Sequence, residues 1–363
     1  MRTALIKQAH DVFGPWSGVL WKDTSPTKLF DVWPGKAVYW ELTCMLQADW
    51  YIVPQATDND YIRDLGKWSP DLPEIIRRYT RNITAPDHIP FDEYDLAIVF
   101  DACLDPPSTS RALFAYHAQE HWDTLYTRSL RQPASGYELF LAHMMDAEGA
   151  IGSLPQAISF PYLHDVELMR SVFPVQKQDA VWVDWRTLMT LAMREVSESW
   201  TKDAEAAAVR LQELLVLPVH HRGRYFTQAY GVYDPPAWGD AALYLQALAG
   251  CKYYISVGRV AGAGQGLSEA ASTGCLCLGQ AENVYHRLIC HPACLCDDIA
   301  EMPSRLNAIV HSKNLQAEVI SWQDQALRKH FQRRPLELLR EAIQVKAGNS
   351  EPVRNELQFQ RGT

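Results

Sequence analysis

No apolar run in this chain reaches the roughly 18 residues that a membrane span requires. The first residues lack the charged-then-apolar order of a secretion signal, because Lys7, Gln8, His10 and Asp11 break it at once. The expected location is therefore the cytoplasm, where no disulfide is expected. There is no excess of basic charge either. The formal net charge is −9, which argues against a dedicated DNA-binding surface, since nonspecific affinity for phosphates comes from Lys and Arg. No two cysteines are spaced C-x-x-C, so the knuckle of a zinc ribbon is missing, although six of the eight lie in the C-terminal third with His286 and His291 between them. Cys275 and Cys277 alternate with leucines, as do Cys294 and Cys296 around Leu295, and buried small hydrophobes are the expected role for them. No internal repeat and no low-complexity tract is visible.

What is present is a large core. Hydrophobic residues make up 47% of 363 residues, enough for two domains of roughly 150–200 residues each. The 12 Trp and 16 Tyr are read first as core filling, with stacking on sugars or bases as the second reading. Residues 3–7 read as a first strand, followed by a Gly- and Pro-containing turn at 13–18. Residues 38–48 read as helix, Trp50–Val53 as strand, and 56–92 as helix and loop. Continuous apolar runs at 96–100, 112–116, 139–142 and 157–160 have the composition of fully buried parallel strands. A short helix is expected over 166–172. In the second half, 180–184 and 215–219 read as strands, and 201–215 and 239–250 as helices, the latter closed by Gly250. Residues 297–345 read as alternating helix and loop, and the last roughly 15 residues as a disordered tail.

The most informative segment runs from Tyr253 to Gly279. Tyr253–Val257 is an apolar strand, and Gly262, Gly264 and Gly266 form a glycine-rich turn. A helix carrying Glu269 follows, then Gly274 and a second apolar strand, Cys275–Gly279. This is one βαβ unit of a parallel sheet, whose ligands bind at the carboxyl ends of the strands. Glycines let backbone approach a diphosphate, and the free N–H groups of a helix start face an anion. A carboxylate about one turn in can accept from ribose hydroxyls. The plainer reading is a strand-to-helix turn with an acid that complements the helix dipole.

The run Ala261-Gly262-Ala263-Gly264-Gln265-Gly266-Leu267-Ser268-Glu269-Ala270-Ala271-Ser272-Thr273-Gly274 resembles the E-G-F-G-x-x-x-x-E-A-x-x-x-G signature of retaining GT-B glycosyltransferases that use nucleotide sugars. Ala115-Tyr116-His117 is similar to the family's strand ending in a histidine near the acceptor. Ser159–Asp165 is similar to its P-x-G-x-D exit from the first domain, and Phe173-Pro174 stands where the family has Phe-x-Pro. The resemblance implies an α/β chain of two Rossmann-like domains facing a central cleft: residues 1–174 on the acceptor side, 175–335 binding the nucleotide sugar, and 336–363 forming a C-terminal helix and tail. It implies Gly262, Gly264, Gln265, Gly266, Leu267 and Glu269 as the donor site, with UDP the expected nucleotide. Arg186 and Arg259 would neutralise the diphosphate leaving group with no metal, and His117 would orient the acceptor. Glu120, His121, His164 and Asp165 are lesser candidates. The family's first glutamate is Ala261 here, and no lysine follows Arg186 at the family's spacing. The implied activity is transfer of a sugar, with retention, to a glycan, lipid, protein, small metabolite or modified nucleic acid. A nucleotide-sugar epimerase or hydrolase of the same fold, and a sugar-nucleotide-binding protein without catalysis, stay open beside it.

Overall fold

The structure is a computed structural model. It describes residues 1–8, 42, 45–53, 80–83, 86–100, 104–118, 136–142, 157–161, 163–183, 203–221, 241–257 and 265–348. The chain divides into two compact units, Met1–Leu163 with Phe331–Thr363, and His164–His330.

In the first unit seven strands are described: β1 (Thr3–Gln8), β2 (Asp49–Val53), β3 (Thr80–Ile83), β4 (Leu96–Phe100), β5 (Leu113–Ala118), β6 (Leu139–Ala142) and β7 (Ala157–Ser159). They form one sheet in the order β3-β2-β1-β4-β5-β6-β7, parallel at every pairing. Alternate residues explain why the strand sequences are apolar throughout. Ala4, Ile6, Ala97, Val99, Phe114, Tyr116 and Phe140 join one core cluster. Their neighbours Leu5, Ile98, Ala115, Leu139 and Leu141 are buried as well. A strand covered on both faces has no polar face to show. The one strand the sequence reading missed is β3, placed within a stretch read as helix and loop. Its sequence Thr-Arg-Asn-Ile carries no apolar run because it lies at the sheet edge, paired to β2 alone among the described strands.

The second unit has β8 (Gln178–Val183), β9 (Val219–His221), β10 (Cys251–Ile255), β11 (Leu276–Gln280) and β12 (Leu295–Cys296), in the order β12-β11-β10-β8-β9. All four pairings are parallel. Read from β9, the order is 2-1-3-4-5, so the direction of winding reverses between β8 and β10. Its helices are α1 (Val166–Val172), α2 (Asp203–Leu215), α3 (Ala241–Gly250), α4 (Gln265–Ser272), α5 (Val284–Ile289), α6 (Met302–Val310) and α7 (Lys313–Arg328). A π-helical turn, Lys329–Arg333, joins α7 to α8 (Arg334–Lys346). The boundary between the units falls within that turn. In the first unit, Lys346 at the end of α8 donates to Ala112 O and to Glu138 Oε2, each at 2.6 Å. Among the described residues no helix is long and apolar enough to cross a membrane.

Three local readings change. The strand expected at 215–219 begins only at Val219: Leu215 closes the last turn of α2, where Val216 N–H donates to Gln212 O at 2.9 Å. Pro218 has no N–H for a ladder and contributes only its carbonyl, to Val181 N–H at 2.9 Å. Gly250 is the last residue of α3 without taking a left-handed φ, and Cys251 opens β10 directly. Cys294 lies in a 3-10 turn, Pro292–Cys294, rather than in the strand with Cys296.

Strand β11 shows how a polar side chain completes a sheet. β12 pairs with it only at Gly279 and Gln280. Further back, the amide of Gln323 on α7 takes the place of a neighbouring strand. Cys277 N–H donates to Gln323 Oε1 at 2.9 Å, and Gln323 Nε2 donates to Cys275 O at 2.7 Å. Gln323 is fully buried. Replacing it by leucine strands one backbone donor and one acceptor. We expect Gln323→Leu to cost about 3 kcal/mol, measured by urea denaturation; a loss under about 1 kcal/mol would contradict this role. Val216 offers the opposite case. It is a β-branched residue at φ 54, and 86% exposed, so it carries left-handed strain with little packing in return. Val216→Gly should stabilise the protein by roughly 1 kcal/mol, seen as a higher melting temperature.

Candidate functional site

The strand–turn–helix–strand read from the sequence is β10–α4–β11, with β10 and β11 parallel neighbours. Ser256 extends the ladder by one bond to Leu278 O at 3.1 Å, and Val257 is buried. Residues 258–264 lie outside the described residues, and with them Arg259, Ala261, Gly262 and Gly264. Arg186, which follows β8, and Glu120 and His121 also lie outside them. The chain is described again from Gln265, where α4 begins. The start of α4 is thus reached from the carboxyl end of β10, one of the two strands at the reversal of winding. Its first N–H groups, on Gln265, Gly266 and Leu267, have no carbonyl one turn back within the helix and are suited to an anion.

Helix α4 is buried from Leu267 to Thr273. Leu267, Ala270 and Ala271 form its apolar stripe. The Leu267 side chain therefore belongs to the core, and what it can offer a ligand is its backbone N–H. The polar residues of the helix are satisfied locally: Ser272 Oγ donates to Glu269 O at 2.8 Å, and Thr273 Oγ1 to Ala270 O at 2.9 Å. Ser268 Oγ lies 2.7 Å from His164 Nε2, both side chains being buried. Glu269 is 3% exposed. A carboxylate so far from bulk water is tolerated only among hydrogen-bond donors.

Gly274 ends the helix for a conformational reason. It sits at φ 85. Gly274 N–H donates to Ala271 O at 2.9 Å and Cys275 N–H to Ala270 O at 2.8 Å, the paired bonds of a Schellman cap. The last glycine of the signature is therefore a helix stop that turns the chain into β11. A Cβ there would also meet the Arg170 guanidinium at 3.4 Å. Arg170, on α1, forms a two-pronged pair with Asp324 on α7, at 3.0 and 2.7 Å.

The loop after β11 forms the neighbouring part of the same sheet edge, and the sequence reading assigned it no role. Gly279 makes room for His286: a Cβ there would lie 2.7 Å from the imidazole. His286 Nδ1 accepts the N–H of Gln280 at 2.8 Å, which leaves its proton on Nε2. Asn283 Oδ1 caps α5 by accepting from Tyr285 N–H at 2.9 Å and His286 N–H at 3.4 Å. The Asn-x-x-His pattern just ahead of an apolar turn was the available signal. The six described cysteines are buried and free. Burial pushes the Cys251 and Cys294 thiols up to about 12 and Cys296 to about 11, so they are neutral. Among the described residues no group of three His, Cys, Asp or Glu is placed to hold a metal ion.

The remaining candidates are spread over both units. His117 is the penultimate residue of β5 in the first unit rather than a loop residue after it. It is 3% exposed, with its ring edge-on to Phe160 at 5.8 Å. Asp165 caps α1, accepting from Leu168 N–H at 3.0 Å.

The order of the two parallel sheets and their helices define a GT-B glycosyltransferase fold. The structure of Anabaena Alr3699/HepE in complex with UDP-glucose has this fold, with a TM-score of 0.51 and 12% identity, covering 96% of this chain and 100% of that one. A glycosyltransferase from Rickettsia africae is similar at a TM-score of 0.45 and 9% identity, over 96% and 99% of the two chains. The DNA-modifying enzyme β-glucosyltransferase is similar at 0.46 and 11%, over 94% and 99%. No protein-family model and no curated protein sequence matches the chain.

Burial gives His286 a pH signature. It lowers the histidine from 6.5 to about 4. Below pH 6.5 the unfolded chain takes up a proton here that the folded protein refuses until about pH 4, so folding loses stability as pH falls through that window and is unaffected above it. The full effect is about 3 kcal/mol. His286→Asn, which keeps an acceptor for Gln280 N–H, should show a shallower fall of the urea midpoint between pH 7 and 4.5. An unchanged slope would contradict a buried neutral imidazole.

Proposed function

We propose that this chain is a glycosyltransferase that moves a hexosyl group from a UDP-sugar to an acceptor hydroxyl, with retention of configuration. The observation that carries the reading is the placement of α4. It follows the carboxyl end of β10, beside the reversal of strand order, after a glycine-rich stretch of sequence and with Glu269 one turn in. A neighbour of the same fold is seen with UDP-glucose, which supports a nucleotide sugar as the donor.

In this reading the first-turn N–H groups of α4 and the glycines ahead of it hold the diphosphate, and Glu269 accepts the ribose hydroxyls. The bond from the sugar C1 to the diphosphate oxygen breaks. The acceptor oxygen bonds to C1 on the same face, and its proton passes to the leaving UDP oxygen. Negative charge grows on the diphosphate as it departs. The α4 dipole with Arg186 and Arg259 stabilises that charge, so the chemistry needs no divalent cation. His117 orients the acceptor. The work takes place in the cytoplasm.

Ala261 gives a second reading some weight. Without the family's first glutamate near the transferred sugar, the chain would bind a nucleotide sugar and not turn it over.

Thermal shift against UDP, GDP, ADP and CMP, run in EDTA, tests the donor site. UDP should raise the melting temperature by several degrees, and Glu269→Ala should remove most of that shift. Equal shifts for parent and variant would overturn the ribose role. A response that appears only with added divalent cation would overturn metal independence. Product analysis with a UDP-hexose panel then separates transfer from binding without turnover.

A further inference from the structure

We propose that His164 is a positioning residue for the donor helix, holding α4 through Ser268 so that its first turn and Glu269 keep their place at the sheet edge. The proposal rests on the donor reading above and goes beyond it. It names a residue in the segment by which the chain comes into the second unit as part of the donor machinery.

The geometry is that of a brace with two ends. His164 is the first residue of its unit. Its Nε2 lies 2.7 Å from Ser268 Oγ, across 104 residues of sequence. Ser268 directly precedes Glu269 and stands three residues after the first residue of α4. Six residues on from Ser268 the helix has already ended, at the Gly274 cap, and there the second end of the brace arrives. Arg170 packs over Gly274 while gripping Asp324 through both guanidinium arms. Asp165 caps α1 and fixes the short helix that carries Arg170. Segment 164–170 therefore touches α4 close to its start and at its end.

Two features make the His164 end the sensitive one. First, both partners are buried, at 0% and 1% exposure. A hydrogen bond in such surroundings is strong, and its loss strands polar atoms. Second, the cap at Gly274 fixes where α4 stops but leaves its start free to tilt. The apolar stripe of Leu267, Ala270 and Ala271 resists sliding and is less selective for rotation about the helix axis. A directional bond at Ser268 selects the rotation. An error there would swing Glu269, the next residue, and the N–H groups of the first turn together. A bond of this kind also works in reverse: a nucleotide that holds the start of α4 also holds the backbone at 164.

The test uses the full chain with UDP as probe. Titration calorimetry measures affinity, and hydrogen exchange follows the amides of 163–166. Ser268→Ala removes one oxygen and favours helix, and His164→Leu removes the ring. Each should weaken UDP about tenfold, and the double variant should be no weaker than either single one. His164→Gln, whose amide can reach as far as Nε2, should recover most of the affinity. UDP should slow exchange at 163–166 in the parent and not in Ser268→Ala. If His164→Leu does not fold, Ser268→Ala and His164→Gln carry the comparison.

A role confined to stability would lower melting temperatures and leave UDP affinity and the exchange response as in the parent. That result overturns the proposal, as does a double variant whose losses add. If Glu269→Ala abolishes binding while Ser268→Ala binds like the parent, the donor reading stands and the positioning role falls. If the parent binds none of UDP, GDP, ADP or CMP, both fall together.

Discussion

A parallel sheet wound in two directions leaves one gap where the crossovers part, and everything proposed for this protein depends on what stands there. In the second unit the gap falls between β8 and β10. Strands buried on both faces cannot supply polar groups, so the ligand chemistry of such a sheet is pushed to its carboxyl edge. The helix that follows that edge, α4, brings first-turn N–H groups that have no carbonyl partner within the helix, and the positive end of a dipole. Its other end is fixed by a glycine in a conformation other residues avoid.

That division of labour makes the signature readable in physical terms. Gly274 closes α4 and turns the chain into β11. Ala270 and Leu267 bury its apolar stripe. Gly266 and Gln265 open it. The carboxylate at 269 is buried, and a buried acid needs donors around it. In the proposed reading a ligand with hydroxyls is among them.

Much of this was legible in the sequence, and the reasons are particular. The runs at 96–100, 139–142 and 253–257 announce themselves because both faces are covered. The short helix at 166–172 shows through Asp165, a good cap, and Phe173-Pro174, a good stop. Edge strand β3 did not show, since an edge strand can be polar. The 215–219 run misled because its apolar residues straddle a helix end and a proline. The partners that complete the second unit were illegible for another reason. Gln323 repairs a strand 46 residues away from it, His164 meets Ser268 across 104, and His286 needs the space left by Gly279. None of these pairings leaves a periodic trace; each exists only once the sheet has formed.

The most direct test is a crystal structure of the protein with UDP. The account predicts the diphosphate on the N–H groups of Gln265, Gly266 and Leu267, and both ribose hydroxyls on the Glu269 carboxylate. A nucleotide bound elsewhere, or bound at α4 with the ribose turned away from Glu269, would contradict it.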